Sequence, residues 1–215
     1  ESEQIPEEVY RKLKYNIVKL KSVDDNIYPP QKKSLFMIRH MWKRYGNAFH
    51  WFMRCDDDTY IKTEKLEAFL RSLNSTRMHL LGQTGFGNSQ ERGNLGLYTN
   101  DNYCMGGPGV IMSSNVLQKV GPNTAYCLQE LYTSHEDVEV SRCIKKFAGI
   151  NCAWSFESAR KFYEHYGSGN AGFIDPWDAD NSLGTGPYSL RLDYAITLHP
   201  NKRPERTKVL HEYFL

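Results

Sequence analysis

Trp51-Phe52-Met53-Arg54-Cys55-Asp56-Asp57-Asp58-Thr59-Tyr60-Ile61 joins a short apolar stretch of strand character to three consecutive carboxylates. Three negative charges at the end of a buried strand are costly unless a positive group offsets them. A hard divalent cation does so, because Mg²⁺ and Mn²⁺ take oxygen ligands and commonly bind through one or two carboxylates plus substrate phosphates. The expected ligand set is protein carboxylate, metal and diphosphate, the arrangement of an enzyme that uses a nucleotide-activated substrate.

Rival readings of the triplet fare worse. A helix–loop–helix calcium site needs Gly at its sixth position and Glu at its twelfth. Counted from Asp56 the twelfth is Glu67, but the sixth is Ile61. A phosphohydrolase of the haloacid dehalogenase type wants Asp-x-Asp-x-Thr or Val, and Tyr60 holds the last place. A solvated acidic turn after a strand is the plain alternative.

Around the triplet, helical and extended patterns alternate. Tyr28-Pro29-Pro30 stops any earlier helix, and 31–45 carries Leu35, Ile38, Met41, Trp42 and Tyr45 at helical spacing. Residues 51–54 form a strand. Thr63 is the expected N-cap of a helix to 73, with Leu66, Phe69, Leu70 and Leu73 inward. A short strand at 79–82 precedes a Gly- and Asn-rich loop, 84–102. A second apolar strand at 110–112 leads to a helix, 113–120, stopped by Gly121-Pro122. The helix at 136–147 points Val140, Cys143, Ile144 and Phe147 inward, with Gly149 past its end. Residues 167–188 read as loop, and 194–198 as a final strand. This alternation indicates an α/β sheet with helices on both faces.

Composition sets further bounds. A chain of 215 residues, 40% hydrophobic and 24% charged, is ordinary for one globular domain. A net charge of +2 gives no reason to propose nucleic acid. Lys202, Arg203, Arg206 and Lys208 read as a solvated basic end. No apolar run approaches the ~20 residues that span a bilayer. The chain begins with Glu1 and no signal peptide, so a piece of something longer is expected. Cys55, Cys104, Cys127, Cys143 and Cys152 lack zinc-site spacing. They fit buried thiols, or two disulfides with one thiol left over. Asn74-Ser75-Thr76 is an N-glycosylation sequon, and with the cysteines it leans towards a lumenal compartment.

Three downstream clusters complete the pattern. Gly106-Gly107-Pro108-Gly109 lets the backbone come close to a ligand, or makes a tight turn before a strand. His135-Glu136-Asp137-Val138-Glu139 puts acids at a helix start, where the macrodipole favours their ionised form. His199, in Leu198-His199-Pro200, follows a strand, and imidazole completes many metal shells.

Together these motifs resemble the β1,3-glycosyltransferases related to Fringe. Tyr28 to Ser34, Trp51 to Arg54, Cys104 to Met112, His135 to Val140 and Ala195 to Lys202 are similar to the N-terminal glucuronyltransferase domain of chondroitin sulfate synthases. The resemblance runs from Val18 to the C-terminus, over a single domain, 1–215. It implies an inverting enzyme of the glycosyltransferase-A fold, a mixed sheet flanked by helices, using a UDP-sugar and Mn²⁺. Carried over by position, Asp58 and His199 are the expected metal ligands, with Asp56 and Asp57 nearer the ribose and sugar. Gly106 and Gly107 would allow close approach of the sugars. Asp137 is the expected general base, with Glu136 the competing candidate. The resemblance also implies a Cys127–Cys143 disulfide holding the base in register, and less strongly Cys104–Cys152.

Two departures accompany the resemblance. Few residues precede the triplet, so the first N-terminal strands of a complete glycosyltransferase-A domain are expected to be missing. Residues 167–188 do not follow the family pattern. The expected function is transfer of glucuronate from UDP-glucuronate to terminal N-acetylgalactosamine of chondroitin. The expected setting is the Golgi lumen, as part of a type II membrane protein paired with another synthase or polymerizing factor. Alternatives are transfer of galactose or an N-acetylhexosamine, or a non-catalytic polymerizing partner. Arg54, Arg160 and Lys202 compete to meet the glucuronate carboxylate.

Overall fold

A computed structural model of the chain describes residues 18–24, 27–87, 101–155, 161–164 and 194–214. In chain order the elements begin with α1 (Gln31–Tyr45), β1 (Trp51–Arg54), β2 (Tyr60–Ile61), α2 (Thr63–Arg71), β3 (Leu80–Leu81), β4 (Thr84–Gly85), β5 (Tyr103–Cys104) and β6 (Val110–Ser113). They continue with α3 (Ser114–Val120), a 3₁₀ turn (Gly121–Asn123), α4 (Thr124–Gln129), α5 (Glu136–Ala148), β7 (Phe162–Glu164), β8 (Thr197–His199) and α6 (Pro204–Phe214).

Strand β6 lies between β1 and β3, antiparallel to both, with Met112 opposite Phe52 on one side and Leu80 on the other. Side chains along a strand alternate between faces. Phe52, Leu80 and Met112 join Leu35 and Ile38 of α1, Val116 and Leu117 of α3, and Val140 and Ile144 of α5 in the larger core. Leu81 and Ile111 turn the other way, towards Leu66, Phe69 and Leu70 of α2 and Leu73 just beyond it, and Phe162 joins them. Helices therefore cover both faces, and the fold is α/β as the alternation requires. Each fully buried aliphatic chain here is worth ~1.5–3 kcal/mol.

A second small sheet, in the order β2-β8-β7, is antiparallel between β2 and β8 and parallel between β7 and β8. Among the described residues no helix is long and apolar enough to cross a membrane.

Some boundaries differ from the sequence expectation. Helix α3 ends at Val120, before Gly121-Pro122, as the sequence reading expects, but a 3₁₀ turn follows it directly. Pro122 sits at the start of the 3₁₀ turn, where its missing N–H removes no hydrogen bond, and the chain continues into α4. Lys62, not Thr63, stands at the N-cap position of α2, without a side-chain capping bond, and that helix ends at Arg71. The last strand begins at Thr197 instead of Tyr194. Lys202, Arg203 and Lys208 of the basic end are exposed, as expected of a solvated end, but the segment is ordered. It begins α6, whose Leu210 is fully buried with Ala195 and Leu198, while Phe214 packs on the same cluster. Lys62 Nζ lies 3.3 Å over the Phe214 ring. The 167–188 stretch and Arg160 lie outside the described residues.

Cys127–Cys143 ties α4 to α5, and Cys104–Cys152 ties β5 to the chain beyond α5, leaving Cys55 free. Both expected pairings form. The Cys127–Cys143 bridge closes a separation of 16 residues. In the chain-entropy view, Cys127→Ser/Cys143→Ser should lower stability by ~3 kcal/mol, read from the urea unfolding midpoint under non-reducing conditions.

Candidate active site

The triplet occupies the turn from β1 to β2, and the pairing of Tyr60 with Leu198 brings the end of β8 alongside it. Asn201 N–H donates to the Asp58 carbonyl at 2.7 Å, fixing the chain after His199 against the turn. His199 Nε2 thus lies 3.1 Å from Asp58 Oδ1 and 3.8 Å from Asp56 Oδ2. Asp56, Asp58 and His199 can each offer one ligand atom within 4.8 Å of the others. Two carboxylates with one imidazole suit a divalent cation such as Mn²⁺, with room for further oxygen ligands. Asp58 and His199 come together as the sequence suggests. Asp56 joins them, although its expected place is nearer the ribose. Asp57 is exposed and stands outside this group.

The glycine segment runs between β5 and β6 across the other side of the cluster. Thr59 Oγ1 donates to the Gly107 carbonyl at 2.7 Å, tying the glycine turn to the acidic turn. A Cβ on Gly107 would overlap the His199 ring, and one on Gly106 would overlap the Arg54 guanidinium. These glycines are needed for close approach by neighbouring side chains.

Arg54, the last residue of β1, links the metal cluster to the start of α5. Its Nη2 lies 3.0 Å from Asp56 Oδ1 and 3.1 Å from Glu136 Oε2. Arg54 is 11% exposed and Glu136 9%, so this pairing is largely shielded from water. From sequence Arg54 is a candidate clamp for the sugar carboxylate, but the structure already engages it with two protein carboxylates. No local pattern signals this bridge, since Glu136 is far from Arg54 and Asp56 in the chain. Burial raises the Glu136 pKa, opposed by the Arg54 charge and a hydrogen bond from Ser34.

Asp137, the second residue of α5, accepts the Val138 N–H at 2.9 Å. Burial raises its pKa, opposed by the backbone N–H groups of Val138 and Gly106. The helix start alone would keep this carboxylate ionised, yet desolvation is the larger influence. A carboxylate whose pKa is raised by burial is a stronger base than an ordinary aspartate. Glu139 plays a structural part, since its buried carboxylate takes the N–H groups of Tyr132 and Thr133 and pairs with Arg142 at 2.7 Å.

Lys202, the third residue suggested for a sugar carboxylate, lines a cavity of about 670 Å³ that also reaches Asp57 and Asp58.

A helix-flanked sheet with an Asp-Asp-His cluster at a strand end defines an α/β domain of the glycosyltransferase-A type. The chain belongs to the Fringe-like family, whose model matches residues 11–161. A model described as chondroitin N-acetylgalactosaminyltransferase matches residues 123–215. Chondroitin sulfate synthase 3 of Mus musculus and that of Homo sapiens are each 50% identical over 199 residues, 93% of this chain and 21% of theirs. Chondroitin sulfate synthase 2 of Mus musculus is 26% identical over 180 residues, 82% of this chain and 21% of its own. Chondroitin sulfate glucuronyltransferase of Homo sapiens is 26% identical over 115 residues, 54% of this chain and 14% of its own. The chain spans about a fifth of the length of the synthases it matches.

Proposed function

We propose that this chain carries the donor site and base of an inverting β1,3-glycosyltransferase. It moves glucuronate from UDP-glucuronate to the 3-hydroxyl of terminal N-acetylgalactosamine in chondroitin. The observation that supports this most is the Asp56-Asp58-His199 group, joined through Arg54 to the helix start that bears Asp137.

Asp58 and His199, with Asp56, would hold Mn²⁺. When bound there, the ion supplies Lewis-acid stabilisation of the charge that builds on departing UDP. Asp57 remains for the nucleotide. Asp137 takes the proton of the acceptor hydroxyl as its oxygen attacks the anomeric carbon from the face opposite UDP. Glu136 is the poorer base, because its carboxylate is engaged by Arg54 and Ser34. It serves instead to hold the start of α5 in register with the cation site. Gly107 leaves the His199 ring its space.

The match of 123–215 to an N-acetylgalactosaminyltransferase model favours a second reading, in which the donor is UDP-N-acetylgalactosamine. Radiolabel transfer separates the two, using each donor with chondroitin oligosaccharides of either terminus. Incorporation of glucuronate onto N-acetylgalactosamine ends is the expected result. Incorporation of N-acetylgalactosamine onto glucuronate ends would replace the donor assignment. No transfer from either, by folded chain, would favour a non-catalytic partner.

The setting is the Golgi lumen. Two disulfides accord with an oxidising compartment. Asn74 is exposed, and its Oδ1 accepts Thr76 Oγ1 at 2.7 Å in a tight turn. Protein secreted from animal cells should lose mass on treatment with peptide-N-glycosidase, and Asn74→Gln should abolish that shift.

A further inference from the structure

The basic segment after β8 is left unused by the chemistry above, yet it faces the cation cluster. Together with α6 it lines an open cavity of about 670 Å³ whose wall includes Asp57, Asp58, Lys202, Thr207, Lys208 and Glu212. That volume is within the range of ligand sites, which run to roughly 300–1,000 Å³. Among the described residues, Arg54, Glu136, Asp137, Gly106 and Gly107 contribute nothing to this wall. The cavity therefore opens on one side of Asp58, and the base-bearing helix start is not part of it.

We propose that Lys202 and Lys208 form a phosphate-binding pair for the nucleotide end of the donor, an inference that rests on the donor reading above. A donor held at Asp58 with its sugar towards Asp137 must send its nucleoside the other way, into this cavity. Among the described residues neither lysine makes an ion pair or a hydrogen bond. The Arg54, Arg142 and Lys145 side chains, by contrast, are each paired with a carboxylate. Lysine is a compact point charge well suited to phosphate. Lys208 is presented from a firm support, because Leu210 is fully buried and Phe214 is covered by Lys62. Glu212, one turn beyond Lys208, is an acceptor available to nucleoside hydroxyls.

The test is calorimetric titration of the whole chain in Mn²⁺ with UDP, UDP-glucuronate, inorganic pyrophosphate and uridine. Lys202→Gln/Lys208→Gln and Lys202→Arg/Lys208→Arg are compared with wild type, and circular dichroism checks the fold. Charge-assisted bonds of this kind correspond to about tenfold in affinity per lysine. The Gln pair should weaken UDP and pyrophosphate by roughly a hundredfold, leave uridine unchanged, and be restored by the Arg pair. A penalty seen with UDP-glucuronate alone would assign the lysines to the sugar carboxylate and overturn the phosphate role. Undiminished UDP binding in the Gln pair, with binding still lost in Asp58→Ala, would overturn this inference and leave the donor reading intact. No metal-dependent UDP binding by wild type would overturn both.

Discussion

Asp137→Asn should retain the fold and lose transfer activity by about 10²–10⁴-fold, the usual worth of a positioned general base. Asn keeps an oxygen to accept the Val138 N–H but cannot take the acceptor proton. Its KM for UDP-glucuronate should change little, since Asp137 stands apart from the Asp56-Asp58-His199 group. The pH dependence supplies a second signature. Burial raises the Asp137 pKa, so activity in wild type should fall on acidification at a pH above that of an ordinary aspartate. The sign for stability follows from linkage. A folded-state pKa above the unfolded one means the folded chain holds its proton longer, so stability falls as pH rises from the unfolded pKa through the folded one. Asn carries no charge to desolvate. The variant should therefore melt higher than wild type at neutral pH and converge with it in acid. An Asp137→Asn protein with near-normal kcat would remove Asp137 from the mechanism. An inactive variant that is also less stable at neutral pH would point to a structural role.

Gly107→Ala tests the other half of the site. The Gly107 carbonyl is held by the Thr59 hydroxyl at 2.7 Å, so the turn cannot readily withdraw. A methyl group at this position would occupy the space of the His199 ring, and the ring must yield. Displaced from Asp58, His199 no longer completes the cluster. Disturbing the support of a metal ligand typically costs 10–100-fold in affinity, and about that loss in Mn²⁺ binding is expected here. Gly107 does not adopt positive φ, so the alanine itself adds no backbone strain. Manganese titration followed by electron paramagnetic resonance, with thermal melting in parallel, reads both properties. Unchanged Mn²⁺ affinity would show that His199 is not a ligand.

Much of this architecture is legible in the sequence because its signals are local and repeated. The 15-residue helix α1 and the 13-residue α5 carry enough turns for an apolar period to stand out. Gly149, in the left-handed conformation at φ 72°, ends α5 where the sequence places the stop. The run from Trp51 to Asp58 announces both a strand end and a cluster of charge. Strands of two residues, such as Tyr60–Ile61 and Leu80–Leu81, contain no period to detect. Helix α6 is hidden because its apolar signal is sparse: Leu210 is the residue buried along it, set among Glu205, Arg206, Lys208 and Glu212. The Arg54 bridge between Asp56 and Glu136 depends on tertiary placement, so its parts are visible in the sequence without their connection. Family pattern alone puts Asp56 with the nucleotide, and the β2–β8 pairing brings it within reach of His199.

The central claim is a working, metal-dependent nucleotide-sugar site, and calorimetry with Mn²⁺ and UDP-glucuronate measures it most directly. Wild-type chain should bind the nucleotide only when Mn²⁺ is present, and Asp58→Ala should abolish that binding while remaining folded. Binding that is independent of Mn²⁺, or that survives in Asp58→Ala, would contradict the Asp-Asp-His assignment. Folded wild-type chain that binds no nucleotide would contradict the claim that this chain carries the donor site.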